Sequence, residues 1–296
     1  MGAGRGTLRG TLLLLGTTAL WGSSFPAIKY TVTRIGPLTY VWIRSLIAVA
    51  GLAPYAAYRA ARIPPGILRR SLQGGLATGV AYALGLWLQG WGTRYTTASN
   101  SAFITGLNVV FVHLYAATRG QGYTPSLAAA LLLSIAGLYL LTRPTGGFGI
   151  GEALVLLGAV MWAAQVVLVG RYAAESDPAA FTLAEMTPSI SLALPALAFE
   201  GAPSLSPKLL VVLAYLGLAC ADLAFALQVA GQKTVPPEVA ALIFLLEPVF
   251  AAALSAATLG ERFTLAQYCG MALIIAGIAV AELSSPMEGG ISVKSS

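Results

Sequence analysis

Four charged side chains and one histidine stand inside stretches that are otherwise apolar: Arg44, Glu185, Asp222, Glu247 and His113, the sole histidine of the chain. An ionisable group at the centre of a bilayer costs about 2.5–3.5 kcal/mol on insertion scales, so each should face a partner or a wet cavity. Glu247 is followed by Pro248, which removes a backbone donor and leaves a carbonyl one turn earlier without its usual partner. A broken helix beside a carboxylate can hold an ion near the membrane midplane; the alternative for Glu247 is a structural carboxylate bonded to a neighbouring helix. Asp222 and Glu185 are the other candidates for proton coupling. Arg44, about 10 Å into its helix at 1.5 Å per residue, could hold a substrate carboxylate or phosphate in its planar fork, or reach outward to pair with a helix end. His113 reads as a packing residue rather than a proton shuttle.

Aromatic and amide side chains form a second set. Thr17, Trp21 and Ser24 share one face of a first helix at i, i+4 and i+7, and Trp162 and Gln165 take matching positions in a sixth. Tyr82 and Gln89, seven apart, share a face of a third helix, while Asn100 and Asn108 offer amides in a fourth. Such a wall suits an amphipathic solute with apolar and hydrogen-bonding parts. The competing reading has Trp87, Trp91 and Tyr95 anchoring at the membrane interface and the others packing helices.

The elements that must position these residues are apolar runs long enough to cross about 30 Å of hydrocarbon. Of the 296 residues 57% are hydrophobic and only 9% charged, against about 25% charged in soluble proteins. Ten runs emerge: Thr11 to Ile28, Pro37 to Tyr58, Leu72 to Gly92, Thr97 to Thr118, Pro125 to Leu141, Gly149 to Gly170, Phe181 to Phe199, Leu209 to Gly231, Pro237 to Thr258 and Thr264 to Leu283. Thr124-Pro125 and Asp177-Pro178 each read as an N-cap followed by proline at the first helical position. Gly75 and Gly79, or Ala272 and Ala276, have the four-residue spacing that lets helix backbones approach closely. Cys220 and Cys269 lie inside apolar runs and read as buried thiols, with no metal-site spacing. The first run is longer than a secretory h-region and lacks a convincing cleavage site, so it reads as a retained membrane helix.

The chain also repeats itself. Ala116-Ala117-Thr118-Arg119-Gly120-Gln121-Gly122-Tyr123-Thr124 returns as Ala256-Ala257-Thr258-Leu259-Gly260-Glu261-Arg262-Phe263-Thr264, with five of nine residues identical, and Leu133 to Gly137 returns as Leu273 to Gly277. One residue out of step with these, Gln89, Gly92, Ala102, Ile104 and Phe111 pair with Gln228, Gly231, Ala241, Ile243 and Phe250. These matches divide the chain into a first repeat over 11–142, a second over 149–283 and a polar tail over 284–296, with the glycine-rich segment Thr145 to Gly149 as linker. With the N-terminus cytoplasmic, the inner side collects ten of the 17 Lys and Arg residues and the outer side six, Arg44 lying within a helix. That asymmetry puts both ends in the cytoplasm. Five helices per repeat is an odd number, so the second repeat must enter from the opposite face.

Several stretches resemble the EamA family of the drug/metabolite transporter superfamily: Leu20-Trp21-Gly22-Ser23-Ser24-Phe25-Pro26-Ala27-Ile28-Lys29, Trp42-Ile43-Arg44-Ser45, Leu246-Glu247-Pro248-Val249-Phe250 and Leu259-Gly260-Glu261-Arg262. The resemblance implies an all-α integral membrane protein of ten transmembrane helices in two inverted five-helix repeats. It also implies transport of small metabolites, often by export and often coupled to an ion gradient or exchange. The first repeat departs from the pattern, with Asn108-Val109 opposite Glu247-Pro248 and Gly120-Gln121 opposite Gly260-Glu261. This argues against a mechanism needing symmetric carboxylates.

The expected function is secondary-active transport of small metabolites, amino acids or related amphipathic solutes, by alternating access in the cell membrane. No cofactor or metal is expected. A formal charge of +6 is spread through short gaps and offers no basic face to a nucleic acid. An intramembrane enzyme would need a second facing aspartate, or a base beside a nucleophilic serine, and no Walker sequence supports a primary pump. A passive channel remains the other alternative, since inverted repeats can also line a pore.

Overall fold

The computed structural model describes residues 2–119, 124–144, 147–259 and 263–284, and every regular element among them is helical. Gly120 to Tyr123 and Gly260 to Arg262 of the repeated motif, Thr145 and Gly146 of the linker and the tail from 285 lie outside the described residues.

Among the described residues the helices assemble into ten rods. The first comprises α1 (Gly2–Gly22) and α2 (Ser24–Val32), the second α3 (Pro37–Ala60), the third α4 (Pro65–Tyr95), the fourth α5 (Ala98–Gly106) and α6 (Asn108–Thr118), and the fifth α7 (Pro125–Thr142). The sixth is α8 (Ile150–Tyr172). The seventh runs through α9 (Pro178–Met186), a 3-10 segment (Thr187–Leu192) and α10 (Ala193–Phe199). The eighth joins α11 (Pro207–Gly217) to α12 (Ala224–Gly231) through a π-helical segment (Leu218–Leu223). The ninth is α13 (Pro237–Phe244) and α14 (Glu247–Leu259), and the tenth α15 (Leu265–Ser284). By length and composition Gly6–Val32, Pro37–Ala60, Asn100–Thr118, Pro125–Thr142, Ile150–Glu175, Pro178–Phe199 and Pro207–Gly231 can each cross a membrane, and Leu265–Ala281 is a shorter apolar helix. Their outward faces stay apolar, with Leu194 78% and Phe199 84% exposed, as a lipid-facing surface requires.

Helix starts follow local chemistry. Proline occupies an opening position of α3, α4, α7, α9, α11 and α13, where its missing N–H costs nothing. Thr124 accepts from Leu127 N at 3.2 Å, and Asp177 from Ala179 N and Ala180 N at 3.1 and 3.2 Å. The third rod begins at Pro65, a full turn or more before the expected Leu72, because the proline start, not the end of the polar stretch around Arg69 and Arg70, sets its boundary.

Three rods break into two α-helices near their middles. In the first, Pro26 cannot donate to the Gly22 carbonyl, and the axis breaks at Ser23. In the ninth, Leu245 N and Leu246 N turn back to Leu242 O and Ile243 O, each at 3.0 Å, before α14 restarts at Glu247. The fourth rod breaks at the repeat-equivalent place without a proline: Leu107 N bonds Ile104 O at 3.1 Å and α6 restarts at Asn108.

The packing has a two-fold pattern. The third rod lies along the sixth as the first lies along the eighth, while the second meets the seventh, the fourth meets the ninth and the fifth meets the tenth. The last pair is antiparallel: Gln267 Nε2 donates to Leu141 O at 3.3 Å, and Ser134 faces Gly277. Reciprocal contact at their crossing requires glycine, since a Cβ on either Gly137 or Gly270 would stand 2.6 Å from the other's carbonyl oxygen. Gly75 and Gly79 likewise bring α4 against the backbone of α9. Ala272 and Ala276 do not make the expected close approach; they are exposed, because α15 turns Gly270, Ile274 and Gly277 towards α7. The same rotation leaves Cys269 exposed rather than buried, whereas Cys220 is buried.

Among the described residues two large hydrophobic cores result, beside a small third cluster of Val169, Ala173, Phe181 and Val229. One gathers residues of α6, α7, α8, α13 and α15, the other residues of α2, α3, α4, α11 and α12 with the π segment, and Trp21 packs against both.

Candidate functional site

Between the two cores lies a cavity of about 530 Å³, its open mouth included. Trp21, Ser24, Arg44, Gln89, Asn108, Trp162, Gln165 and Glu247 line it, together with Phe25, Ile28, Leu86, Thr105, Val166, Phe225 and Phe244. It sits at the level where the first, fourth and ninth rods are interrupted. The half-helices α6 and α14 therefore begin at its wall, with Asn108 and Glu247 as their first residues.

An aromatic cluster forms one side. Phe225 lies 4.8 Å from Trp21, 5.0 Å from Tyr82 and 6.1 Å from Trp162, ring centre to ring centre, and Phe244 is 5.1 Å from Trp21. Tyr82 meets Trp162 edge-on at 5.8 Å. The Trp162 indole N–H has no acceptor among the described residues, whereas that of Trp21 donates to Cys220 O at 3.1 Å.

Arg44 enters the opposite side almost fully buried. Its Nε donates to Leu216 O at 3.1 Å, Nη2 to Cys220 O at 3.4 Å and Nη1 to Tyr40 Oη at 2.5 Å. A π-helical turn shifts the regular bonding pattern of its helix, and Arg44 and Trp21 satisfy the carbonyls presented around Leu218–Leu223. No carboxylate among the described residues lies within ion-pairing distance of Arg44. Glu247 is the other charged lining group, and its carboxyl makes no hydrogen bond among the described residues. Two of the guanidinium's five donors thus stay available.

The polar wall continues behind the lining. Gln89 Nε2 donates to Thr105 Oγ1 at 3.0 Å. Gln165 Nε2 donates to Glu185 Oε1 at 2.7 Å and Gln228 Oε1 at 3.0 Å, and Gln228 Nε2 returns a bond to Gln165 Oε1 at 3.1 Å. Gln228 Nε2 also donates to Gln232 Oε1 at 2.9 Å, and Gln232 Nε2 to Val166 O at 3.0 Å.

Not every sequence-derived candidate reaches the cavity. Tyr82 stands behind Trp162 and Phe225, fully buried, because α4 presents Leu86 and Gln89 to the opening instead. Asn100 lies in the first turn of α5, where its Nδ2 donates to Glu152 Oε1 at 3.3 Å beside the Thr96 hydroxyl bond to the same oxygen. Asp222, in the π turn, faces the second rod at Gly51. Glu185 sits one layer back, behind Gln165. His113 bonds Val109 O at 2.8 Å within its own helix.

Phe225, Phe244, Leu86 and Thr105 were not among the sequence candidates. The repeat held a signal for two of them: Leu86 and Phe225 stand three residues before Gln89 and Gln228, an already matched pair, and both line the cavity.

The sequence pattern of the EamA-like transporter family matches residues 8–143 and, a second time, residues 149–283. Two uncharacterised transporters of Archaeoglobus fulgidus are similar. One is 27% identical over 266 residues, covering 89% of this chain and 82% of its own; the other is 24% identical over 280 residues, covering 90% and 95%. A solved structure described only as the crystal structure of a protein superposes with a TM-score of 0.71 at 21% identity, covering 93% of this chain and 96% of its own. That likeness shows the fold alone.

Proposed function

Because the chain belongs to the EamA-like transporter family, we propose that it is a secondary-active carrier exporting small amphipathic metabolites, amino acids or related solutes, by alternating access about the cavity. The observation that carries this reading is the cavity's lining. Aromatic faces from both repeats, Trp21 and Trp162, meet amides, one guanidinium and one free carboxyl at the level of the helix breaks. An apolar portion of a solute fits the rings, and its polar ends fit Arg44, Asn108 and Glu247.

The antiparallel packing of α7 and α15, the last helices of the two family matches, supports an inverted arrangement of the repeats. Both ends then face the cytoplasm, in keeping with the ten-to-six split of basic residues. Reporter fusions at Ser296 and in the loop from Arg59 to Arg70 should both read cytoplasmic, and an external signal from either would overturn this orientation. Burial of the residues between the cavity and the N-terminal end of the bundle favours a carrier over a pore. Below the cavity Gln228, Gln232 and Val169 are buried, leading towards Thr234, whose hydroxyl donates to Gly6 O at 3.1 Å.

Glu247 is proposed as the proton-coupling group, because it is the carboxylate that lines the cavity and its repeat partner Asn108 cannot titrate. The test is accumulation of radiolabelled amino acids, organic acids and nucleosides in proteoliposomes under an imposed pH gradient. At least one solute should concentrate, and Trp21→Ala and Trp162→Ala should lower its uptake more than folded yield. Equal losses of uptake and yield would assign both rings to packing, and no gradient-driven accumulation of any solute would sink the coupled-carrier reading.

A further inference from the structure

Glu185 is a carboxyl without a role in the transport scheme above. It lies on α9 with no exposed surface, where Gly75 and Gly79 of α4 let the two backbones touch: a Cβ at Gly79 would stand 2.5 Å from Glu185 O. Among the described residues its Oε1 accepts a single bond, 2.7 Å from Gln165 Nε2, and its Oε2 is buried with no partner. On the elements packed against α9, the titratable group that shares its surroundings is Tyr82 of α4. On α3 the charged groups are engaged elsewhere, Arg44 with Leu216, Cys220 and Tyr40, and Arg59 with Asp177 at 2.7 Å. The adjoining 3-10 segment carries no charge, and α12 presents the amide of Gln228.

The amides beyond it have a fixed direction. Gln232 Nε2 must donate, because its partner Val166 O can only accept. Its Oε1 therefore accepts from Gln228, the second Gln228 hydrogen goes to Gln165 Oε1, and Gln165 is left with its N–H groups directed at Gln228 Oε1 and Glu185. Reversing Gln165 alone would set donor against donor at Gln228. Glu185 Oε1 is consequently always an acceptor, and a proton can reside only on Oε2, the atom without a partner.

We propose that Glu185 is a second proton-binding site, separate from Glu247, whose charge sets how tightly the Gln165 amide is held out of the cavity. A proton delivered by hydronium joins Oε2 and leaves a water molecule behind, and on release it returns to water as hydronium; no other bond changes. With the carboxylate charged, the Gln165 bond is charge-assisted and roughly twice as strong as its neutral form. With the proton bound, that hold weakens and the Gln165 N–H becomes available to a solute in the cavity it already lines. The consequence for transport rests on the carrier reading, but the proton site does not.

The test is pH-difference infrared spectroscopy of the full-length protein in lipid vesicles, without solute, on the wild type and on Glu185→Gln, Gln165→Leu and Glu247→Gln. A titrating carboxylic-acid C=O band should vanish in Glu185→Gln, persist in Glu247→Gln, and move to higher frequency in Gln165→Leu, where its carbonyl oxygen loses its donor. Identical difference spectra for wild type and Glu185→Gln would overturn the proton site. A band unmoved by Gln165→Leu would overturn its link to the cavity, and that variant alone decides if Glu185→Gln yields no folded protein. Absence of such a band from the wild type with transport intact defeats this site only, whereas a wild-type band without carrier-type transport defeats the functional reading instead.

Discussion

Phe225 is the ring on which the cavity's aromatic side depends, and its removal has a calculable effect. It is 1% exposed and in ring contact with Trp21, Tyr82 and Trp162. Truncating a buried Phe to Ala costs about 3–5 kcal/mol, from lost burial and the void left behind. Phe225→Leu retains most of the volume and installs the residue of its repeat counterpart, Leu86. It forfeits the ring–ring terms, about 0.5–1.5 kcal/mol for each of three pairs, and since these share one ring they will not add fully. The expected order is therefore a loss of about 4 kcal/mol for Phe225→Ala and about 2 kcal/mol for Phe225→Leu. Unfolding of the purified protein in mixed micelles, followed by tryptophan emission, reads both values. Emission should also shift to the red in Phe225→Ala, because Trp21 and Trp162 lose the ring between them. A Phe225→Ala protein within about 1 kcal/mol of wild type, or a Leu variant as unstable as the Ala variant, would refute the packing argument.

Two further outcomes follow from other parts of the bundle. Glu247→Gln keeps the shape and hydrogen-bonding capacity of the side chain while removing its proton equilibrium, so solute binding and exchange should persist and pH-driven accumulation should be lost; continued accumulation would return Glu247 to a structural role. Gly270→Val should lower the thermal midpoint through collision with the Gly137 carbonyl, at about 1–3 kcal/mol, while Ala272→Val on the exposed face of α15 should stay within about 0.5 kcal/mol of wild type, and equal effects would contradict the crossing described for α7 and α15.

Much of the fold was legible because it rests on local rules. Proline starts and caps such as Thr124-Pro125 and Asp177-Pro178 depend on a few adjacent residues, and apolar length marks the membrane helices. The spacing of Trp162 with Gln165 likewise needs only helical geometry to put the pair on one face, whereas Trp21 and Ser24 stand on either side of the break at Ser23 and both still line the cavity. What sequence could not supply were features decided by neighbours. The break at Leu107 has no proline to announce it. The π turn at Leu218–Leu223 becomes intelligible only once Arg44 and Trp21 are seen to occupy the Cys220 carbonyl within it and Arg44 the Leu216 carbonyl just before it. Ala272 and Ala276 have a packing motif's spacing, but the rotation of α15 is set by Gly270 and Gly277. Asn100 fell outside the cavity because a helix carrying two candidate amides is broken between them.

The most direct test of the carrier reading is counterflow in proteoliposomes, with no ion gradient imposed. Vesicles are preloaded with a high concentration of the unlabelled solute identified by the accumulation screen, then diluted into a trace of its labelled form. A carrier that exposes one cavity alternately to the two sides will concentrate label transiently inside, saturate with external solute, and lose both properties when Asn108→Trp fills the cavity. Label that only equilibrates, at a rate linear in concentration and indifferent to preloading, would contradict alternating access and leave a pore in its place.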